Sequence, residues 1–403
     1  MSRRRRKFSR EPFEVRVEDL SHDGRGVATR EDKTIFIHGA LPGESVEARL
    51  TGRRRRYDEG ETLRVLEPSP HRIEPRCPHF GQCGGCSLQH LAPERQIEAK
   101  QRTLEQNLAR IGKVTPDTLW APLTGPLWGY RRKARLSVRY VHKKGRVLVG
   151  FRERYGRFVA DLAECHVLDP RIAGQLVPLA ELIHGMDARS AIPQIEVACG
   201  DESAALVFRH LEPLSDDDIG LLRQFEADSG LAVLLQPGGP ATIHALTPPA
   251  PELRFGFPDL GLELAFGPSD FIQVNAEMNR RMVARALELL DPQPGERVLD
   301  LFCGLGNFTL PLATRGGDVV GVEGDAELVR KGTENARRNG LENVRFHAAD
   351  LAVDPGAAPW LRGGYDKVLL DPPRSGAEFI LEHVAASGAG RLVYVSCHPA
   401  SLA

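Results

Sequence analysis

From Phe13 to about Pro68 the apolar positions fall in short alternating pieces: "FEVRVEDL", "GRGVATR", "KTIFIHG", "ESVEARLTG" and "EGETLRVLE". Gly24, Gly26, Gly39, Pro42-Gly43 and Gly60 punctuate them. Alternation at period two, broken by turn residues, predicts five short strands and a small OB-like β-barrel. Pro68, Pro70, Pro75 and Pro78 then mark a linker. Beyond it, Ile97, Leu104, Leu108 and Ile111 recur at helical spacing, with Gly112 as the stop. From about 130 to 264, strands such as "ARLSVRYV", "RVLVGF", "QIEVACG" and "SAALVFRH" mix with helical stretches near 171–184 and 216–229, which predicts an α+β domain. From 275 the rhythm changes again. A helix over 275–290 leads into "RVLDLFC", "VVGVEG", "VRFHAAD", "KVLLDPP" and "RLVYVSC", near-continuous apolar strands separated by helices. That pattern belongs to a parallel sheet covered on both faces, with ligands at its carboxyl edge. The expected organisation is a basic disordered arm over 1–10 and the barrel over 11–69. A central α+β domain over 70–268 and a Rossmann-like α/β domain over 269–403 follow.

Composition adds a polarity that the net charge of −1 hides. Residues 1–160 carry 34 Lys+Arg against 19 Asp+Glu, and residues 161–403 carry 19 against 35. Arg3–Arg6 and Arg53–Arg56 are runs of four arginines, the second on an expected strand-to-strand turn. Arginine grips phosphate in bidentate fashion, so the first half predicts a polyanion-binding surface. The chain has no run of 18 apolar residues and no apolar stretch behind its basic N-terminus. We therefore expect a cytoplasmic protein without a membrane span, in which thiols stay reduced. Its seven cysteines then point to metal ligation or catalysis.

"CPHFGQCGGC" places Cys77, Cys83 and Cys86 within ten residues, the last two framing a pair of glycines. A fourth soft ligand has to come from elsewhere. Cys165 in "AECHVL" is the favoured candidate over Cys199, whose strand context suits a buried hydrophobe. Four thiolates suit zinc or an iron–sulfur cluster. Three clustered cysteines and one remote cysteine fit [4Fe–4S] better than the paired spacings of zinc ribbons. A cluster closed by four protein ligands serves structure or RNA orientation rather than radical chemistry.

"VLDLFCGLGNFTL" reads as a strand, a glycine turn and a helix. Gly304 and Gly306 let the backbone approach a ligand. Thr309 stands where a dinucleotide fingerprint wants its third glycine, which disfavours NAD. Glu323 ends the second strand, placed for ribose hydroxyls. Asp350 ends the third and suits an adenine amino group, or alternatively a helix cap. Together these point to S-adenosylmethionine. "LLDPPRSG" presents Asp371 at the fourth strand end, with Pro372 and Pro373 as a stiff wall for a planar base. Cys397 ends the next strand on the same edge, with His398 beside it to lower its thiol pKa. A thiolate beside a methyl donor can add to C6 of uracil or cytosine and turn the inert C5 into a carbon nucleophile.

"ALPGE" (40–44), "CPHFGQCGGCSLQH", "FIQVN" (271–275), "LDLFCGLGNFTLPLA" (299–313), "LLDPPRSG" (369–376) and "VYVSCHP" (393–399) follow one another in order. Over almost the whole chain they resemble the bacterial 23S ribosomal RNA uracil-5-methyltransferases. The resemblance implies that the barrel is a TRAM domain and that Cys77, Cys83, Cys86 and Cys165 hold a [4Fe–4S] cluster. It implies S-adenosylmethionine contacts from Gln273, Phe302, Asn307, Glu323, Asp350 and Asp371, with Cys397 as nucleophile toward a flipped-out uridine. No obligate protein partner is implied. The family usually has asparagine where His398 stands. Its proton-abstracting glutamate lies in a segment after the cysteine, beyond position 403, with the last strands of the sheet. A polypeptide ending at 403 is thus expected to form a methylated adduct and turn over slowly or not at all. Two other readings compete: an RNA-binding iron–sulfur factor without turnover, and a pyrimidine-C5 methyltransferase for tRNA or another RNA.

Overall fold

A computed structural model describes residues 11–356 and 358–403. The basic arm expected over 1–10, with Arg3–Arg6, lies outside the described residues. The chain divides into two compact units. One holds the described residues up to Pro122 with Phe151–Ala160 and Ala403; the other holds Leu123–Gly150 and Asp161–Leu402.

The first unit is built on the barrel. Its strands are β1 (Phe13–Arg16), β2 (Asp19–Leu20), β3 (Gly26–Arg30), β4 (Lys33–His38), β5 (Ser45–Arg53) and β6 (Tyr57–Glu67), in sheet order β1-β5-β6-β4-β3-β2. The first expected strand, "FEVRVEDL", is split. Its front half bonds to β5 and its back half to β3, so one bent segment closes the sheet on itself. β4 and β6 run parallel, and the other pairs run antiparallel. The inward positions Val17, Ala28, Ile35, Ile37, Ala40, Val46, Ala48 and Leu50 form a fully buried core. Alternation along β4 and β5 supplies it, because successive side chains face opposite sides of a strand. Arg54–Arg56 form the expected turn between β5 and β6. The cysteine loop follows, then α1 (Pro93–Asn107) with Pro93 in its first turn. A π turn over Leu108–Gly112 ends it. The left-handed residue that stops it is Lys113 at φ 56°, one position past the expected glycine.

In the second unit, β7 (Lys133–Val141), β8 (Arg146–Gly150), β9 (Gln194–Cys199), β10 (Ala204–Arg209), β11 (Ala232–Gln236) and β12 (His244–Ala245) form a mixed sheet ordered β12-β11-β10-β9-β7-β8. The first predicted helical stretch breaks at Gly174 into α2 (Pro170–Ala173) and α3 (Leu176–Gly185). The second is α4 (Asp216–Ser229), opened by a Ser215–Asp218 capping box. The hairpin of β13 (Leu253–Phe257) and β14 (Leu262–Phe266) was not expected. Its Phe255, Phe257 and Phe266 belong to a core shared with α5 (Ala276–Leu290).

The α/β portion carries β15 (Arg297–Leu301), α6 (Thr309–Ala313), β16 (Asp318–Glu323), α7 (Ala326–Arg338), β17 (Val344–Ala348), β18 (Lys367–Leu370), α8 (Glu378–Ala386), β19 (Arg391–Tyr394) and α9 (Pro399–Leu402). The five expected strands are all present and all parallel, in the order β17-β16-β15-β18-β19. Every residue of β18 is buried, and side chains such as Leu369 and Leu370 each contribute roughly 2 kcal/mol by leaving water. The order reverses between β15 and β18, and a doubly wound sheet opens its ligand crevice outside the carboxyl ends at that point.

Candidate active site

Successive strand ends set the predicted residues along one edge. β15 delivers Phe302, whose backbone lies at φ +63°, a region a bulky side chain occupies only under constraint. The Phe302 and Cys303 amides both donate to the Val322 carbonyl, at 2.9 and 3.1 Å, and pin that turn. Gly304 and Gly306 follow at φ +57° and +100°. A Cβ on Gly306 would meet Leu310 and Phe346 at 3.0 and 3.3 Å, whereas space beside Gly304 is open. The turn therefore packs tightly on one side and is accessible on the other. Glu323, at the end of β16, accepts from the Gly304 amide through Oε2 and from the Asp325 amide through Oε1, both at 3.0 Å. Asp350, just beyond β17, is exposed and accepts from the Ala352 amide at 2.9 Å in a turn that opens no α-helix. The helix-cap alternative for it is thereby corrected. Asp371 follows β18, and its amide donates to the Leu301 carbonyl at 3.3 Å. The Val395 amide donates to the Leu370 carbonyl at 2.8 Å, so β19 stays in register up to the residues that present Cys397. The Cys397 thiol is exposed. His398 accepts from the Ser401 amide through Nδ1 at 3.3 Å, a local bond within the last turn.

The electrostatics of this edge are those of crowded carboxyl groups. Asp300, inside β15, is fully buried. Burial pushes its pKa up to about 8, helped by the Asp371 and Glu323 charges and opposed by a Thr309 hydroxyl that donates to Oδ2 at 2.6 Å. Among the described residues its Oδ1 has no partner. Burial likewise raises Asp371 to about 6, and it holds the Cys303 thiol far above its ordinary value. Strongly displaced titrations at a strand-end crevice are what functional sites produce.

Three residues that sequence reasoning passed over organise the site. Asn279, buried on the core face of α5, exchanges amide hydrogen bonds with Asn307: its Nδ2 donates at 2.7 Å and its Oδ1 accepts at 3.0 Å. An asparagine in register with Val283, Ala286, Leu287 and Leu290 on an apolar stripe was the available signal. Arg132, also buried, donates from Nε to the Gln273 carbonyl at 2.8 Å and stacks over Phe255 at 4.6 Å. Burial lowers its pKa to about 10 against the pull of Asp201. Lys331 on α7 pairs with both oxygens of Asp270 at 2.8 Å. These two cations clasp the 270–275 loop on either side of Gln273. Its isolated place ahead of α5 had left Gln273 without any periodic signal.

Cys77, Cys83 and Cys86 lie in one half-buried loop of the first unit, and the Gly85 amide donates to the Cys83 sulfur at 3.4 Å. Cys165 is a buried residue of the second unit. Among the described residues no group of three or more His, Cys, Asp or Glu side chains is arranged to hold a metal ion. Cys199 is buried and its thiol is raised to about 12, chiefly by burial, which suits the hydrophobic role expected of it. No helix among the described residues is long and apolar enough to cross a membrane.

A barrel of OB topology and a doubly wound sheet with a glycine turn define a nucleic-acid-directed methyltransferase. The family comparisons agree. A TRAM domain model matches residues 6–63 and a methyltransferase domain model matches residues 292–372. The chain is 57% identical over 404 residues to the 23S rRNA (uracil(1939)-C(5))-methyltransferase RlmD of Alkalilimnicola ehrlichii, covering 100% of this chain and 91% of that protein. It is 56% identical over 407 residues to the enzyme of the same name from Xanthomonas euvesicatoria, with the same coverage. The chain belongs to the RlmD family of 23S rRNA uracil-C5 methyltransferases. Its fold is also that of the Pyrococcus abyssi tRNA (uracil-54, C5)-methyltransferase, solved in complex with S-adenosyl-L-homocysteine. The TM-score is 0.73 at 22% identity, over 96% of this chain and 91% of that one.

Proposed function

We propose that this protein transfers a methyl group from S-adenosylmethionine to C5 of one uridine of 23S ribosomal RNA in the cytoplasm, the uridine its relatives' names place at 1939. The observation that carries the reading is an exposed thiol, Cys397, at the end of β19, next to the β18 end that holds Asp371. The open side of the Gly304 turn and the carboxylates of Glu323, Asp350 and Asp371 fit the bound cofactor. Glu323 suits the ribose hydroxyls and Asp350 the adenine amino group. Gln273, Phe302 and Asn307 complete the contacts. When bound, the cofactor supplies a methyl group activated on a sulfonium.

Cys397 attacks C6 of the flipped uracil as a thiolate, forming the S–C6 bond and moving an electron pair onto C5 and O4. C5 would then take the methyl group that a bound cofactor supplies, with the S–CH3 bonding pair staying on sulfur. A general base then removes the C5 proton, and the electron pair of that C–H bond expels the thiolate. Both S–C6 bond formation and its cleavage belong to Cys397, so atoms and charge balance over the cycle. Pro372 and Pro373 give the flipped base a wall without backbone donors to misdirect it.

We further propose that Cys77, Cys83, Cys86 and Cys165 hold a [4Fe–4S] cluster. The donor set supports this: four thiols, with a backbone amide on the Cys83 sulfur, a bond that tunes such clusters. A cluster closed by four ligands supplies structure and orientation rather than methyl chemistry. Iron and sulfide analysis of anaerobically purified protein tests it: about four irons per chain, lost in Cys165→Ser, is the expected result. The methylation assignment is tested with 23S rRNA carrying 5-fluorouridine. Fluorine blocks removal from C5, so a covalent protein–RNA adduct accumulates. Absence of that adduct, or its survival in Cys397→Ala, refutes the reading.

A further inference from the structure

The barrel unit holds a cavity that the methyl-transfer reading does not use. It is a half-open cavity of about 430 Å³, lined by His38 at the end of β4, Arg49, Leu50 and Thr51 of β5, Glu59 and Glu61 of β6, and Tyr155 from the Phe151–Ala160 segment. Tyr155 is 54% exposed, which leaves much of its ring open to a ligand, and it meets the His38 ring edge-on with centroids 4.8 Å apart. The His38 imidazole stays uncharged at neutral pH: burial, with Arg154 and Arg25 nearby, lowers its pKa to about 4. Burial also raises the Tyr155 phenol to about 12, so the pair is two neutral rings.

The polar lining of the cavity includes two acids. Glu61 is held by Arg49, whose Nε donates to Oε1 at 3.0 Å. Glu59 takes a 3.3 Å bond from Arg54 on Oε2. Two carboxylates against the one cation of the lining, Arg49, leave the cavity net negative, so a phosphate is not the occupant it suits. Phosphate belongs instead to the β5–β6 turn, where Arg55 and Arg56 are exposed and have no ion pair among the described residues.

We infer that this cavity binds an unpaired nucleobase carrying an exocyclic amino group (adenine, cytosine or guanine), stacked on Tyr155 with its amino edge toward Glu59 and Glu61, while Arg55 and Arg56 hold the adjoining phosphates. The chemistry is general. Any base stacks on an aromatic face, whereas a carboxylate accepts from an exocyclic amino group and, on uracil, meets a single N3–H donor flanked by two carbonyl oxygens that repel it. The site thus selects against the base that the methyl-transfer reading modifies. The inference rests on that reading only in taking RNA as the ligand.

The test uses the full chain and four fluorescein-labelled hexamers: oligo-A, oligo-C, oligo-U and an abasic ribose-phosphate chain. Fluorescence anisotropy should show oligo-A and oligo-C binding about 5-fold or more tighter than oligo-U, since all three stack and only the first two add an amino contact to the carboxylates. Tyr155→Ala should erase that advantage and leave the abasic probe within about 2-fold. Tyr155→Phe should keep it, and Glu61→Lys should invert the order. Equal affinity for all four probes overturns the inference. So does a Tyr155→Ala loss that is equally large for the abasic probe, since the residue then contributes only to general binding. Methylation of 23S rRNA by the same preparation is measured in parallel. A base preference without methylation would sink the proposed function and leave the pocket standing; methylation without preference would do the reverse.

Discussion

Glu44 in the barrel and Asp300 in the α/β sheet are both fully buried carboxyl groups, and the chain treats them in opposite ways. Burial alone would raise the pKa of Glu44. Instead Arg72 donates to both its oxygens, at 2.6 and 2.8 Å, and the Leu41 and Ser69 amides add bonds of 2.8 and 3.1 Å. The net direction is downward, and the group is a charged staple that ties "ALPGE" to the linker. Asp300 has Thr309 as its donor residue, through hydroxyl and backbone amide, and faces two like charges, so it keeps its proton. A buried acid with a full donor set serves the fold. A buried acid left short of donors beside other acids marks a place where the fold is kept ready for a ligand at its own expense.

The contrast can be attacked in order of effect. Cys397→Ser should reduce methyl transfer to 23S rRNA by about 10³-fold or more, with cofactor binding nearly unchanged, because only the reacting sulfur is altered. Radiolabelled methyl incorporation and calorimetric titration separate the two. Glu44→Gln should cost about 3–5 kcal/mol, the penalty for stranding the partner of a buried ion pair. Denaturant unfolding followed in the barrel unit measures it. Since Glu44 titrates below its ordinary 4.5 in the fold, its contribution is complete at neutral pH. It is lost as pH falls through the folded-state value, so the penalty should shrink in acid.

Asp300→Asn should behave the other way. With a folded pKa near 8 against an ordinary 3.8, the unfolded chain gives up this proton first as pH rises, so the parent loses stability from about pH 4 to about pH 8. The variant escapes that loss. Its melting temperature without cofactor should exceed the parent's by roughly 3 °C or more at pH 8, with little difference near pH 4.5. A flat difference across that range would mean Asp300 is not held neutral. The smallest effect is expected from Asn279→Leu, which strands the Asn307 amide and should weaken S-adenosylhomocysteine binding by about 10-fold. A loss of equal size in Asn279→Asp would tie the effect to amide donation rather than to packing.

Local pattern carried the architecture a long way. Five strands of the barrel and five of the parallel sheet were legible because alternation and continuous apolar runs are written within four to nine consecutive residues. Glu323, Asp371 and Cys397 were legible because a residue within two positions of the end of such a run must fall at the sheet edge. What escaped was set by partners distant in the chain. The first barrel strand breaks at Val17 because two different neighbours claim its halves. The hairpin of β13 and β14 owes its place to Phe255, Phe257 and Phe266 packing on α5. Asp300 looked like one more residue of a strand, and nothing near it in sequence announces that Asp371 and Glu323 will share its surroundings. Asn279 and Arg132 act through Asn307 and through the Gln273 carbonyl, 28 and 141 positions away.

The reciprocal pair of Asn279 and Asn307 has one more property. Each primary amide gives and takes one bond, so turning both over together restores the same two bonds with donor and acceptor exchanged. Neither can turn alone without setting like groups against each other. The glycine turn therefore carries a two-position rotor, geared to a helix and equal in energy within the pair. On the proposed function, an acceptor or a donor of a bound molecule reaching Asn307 would decide which of the two positions holds.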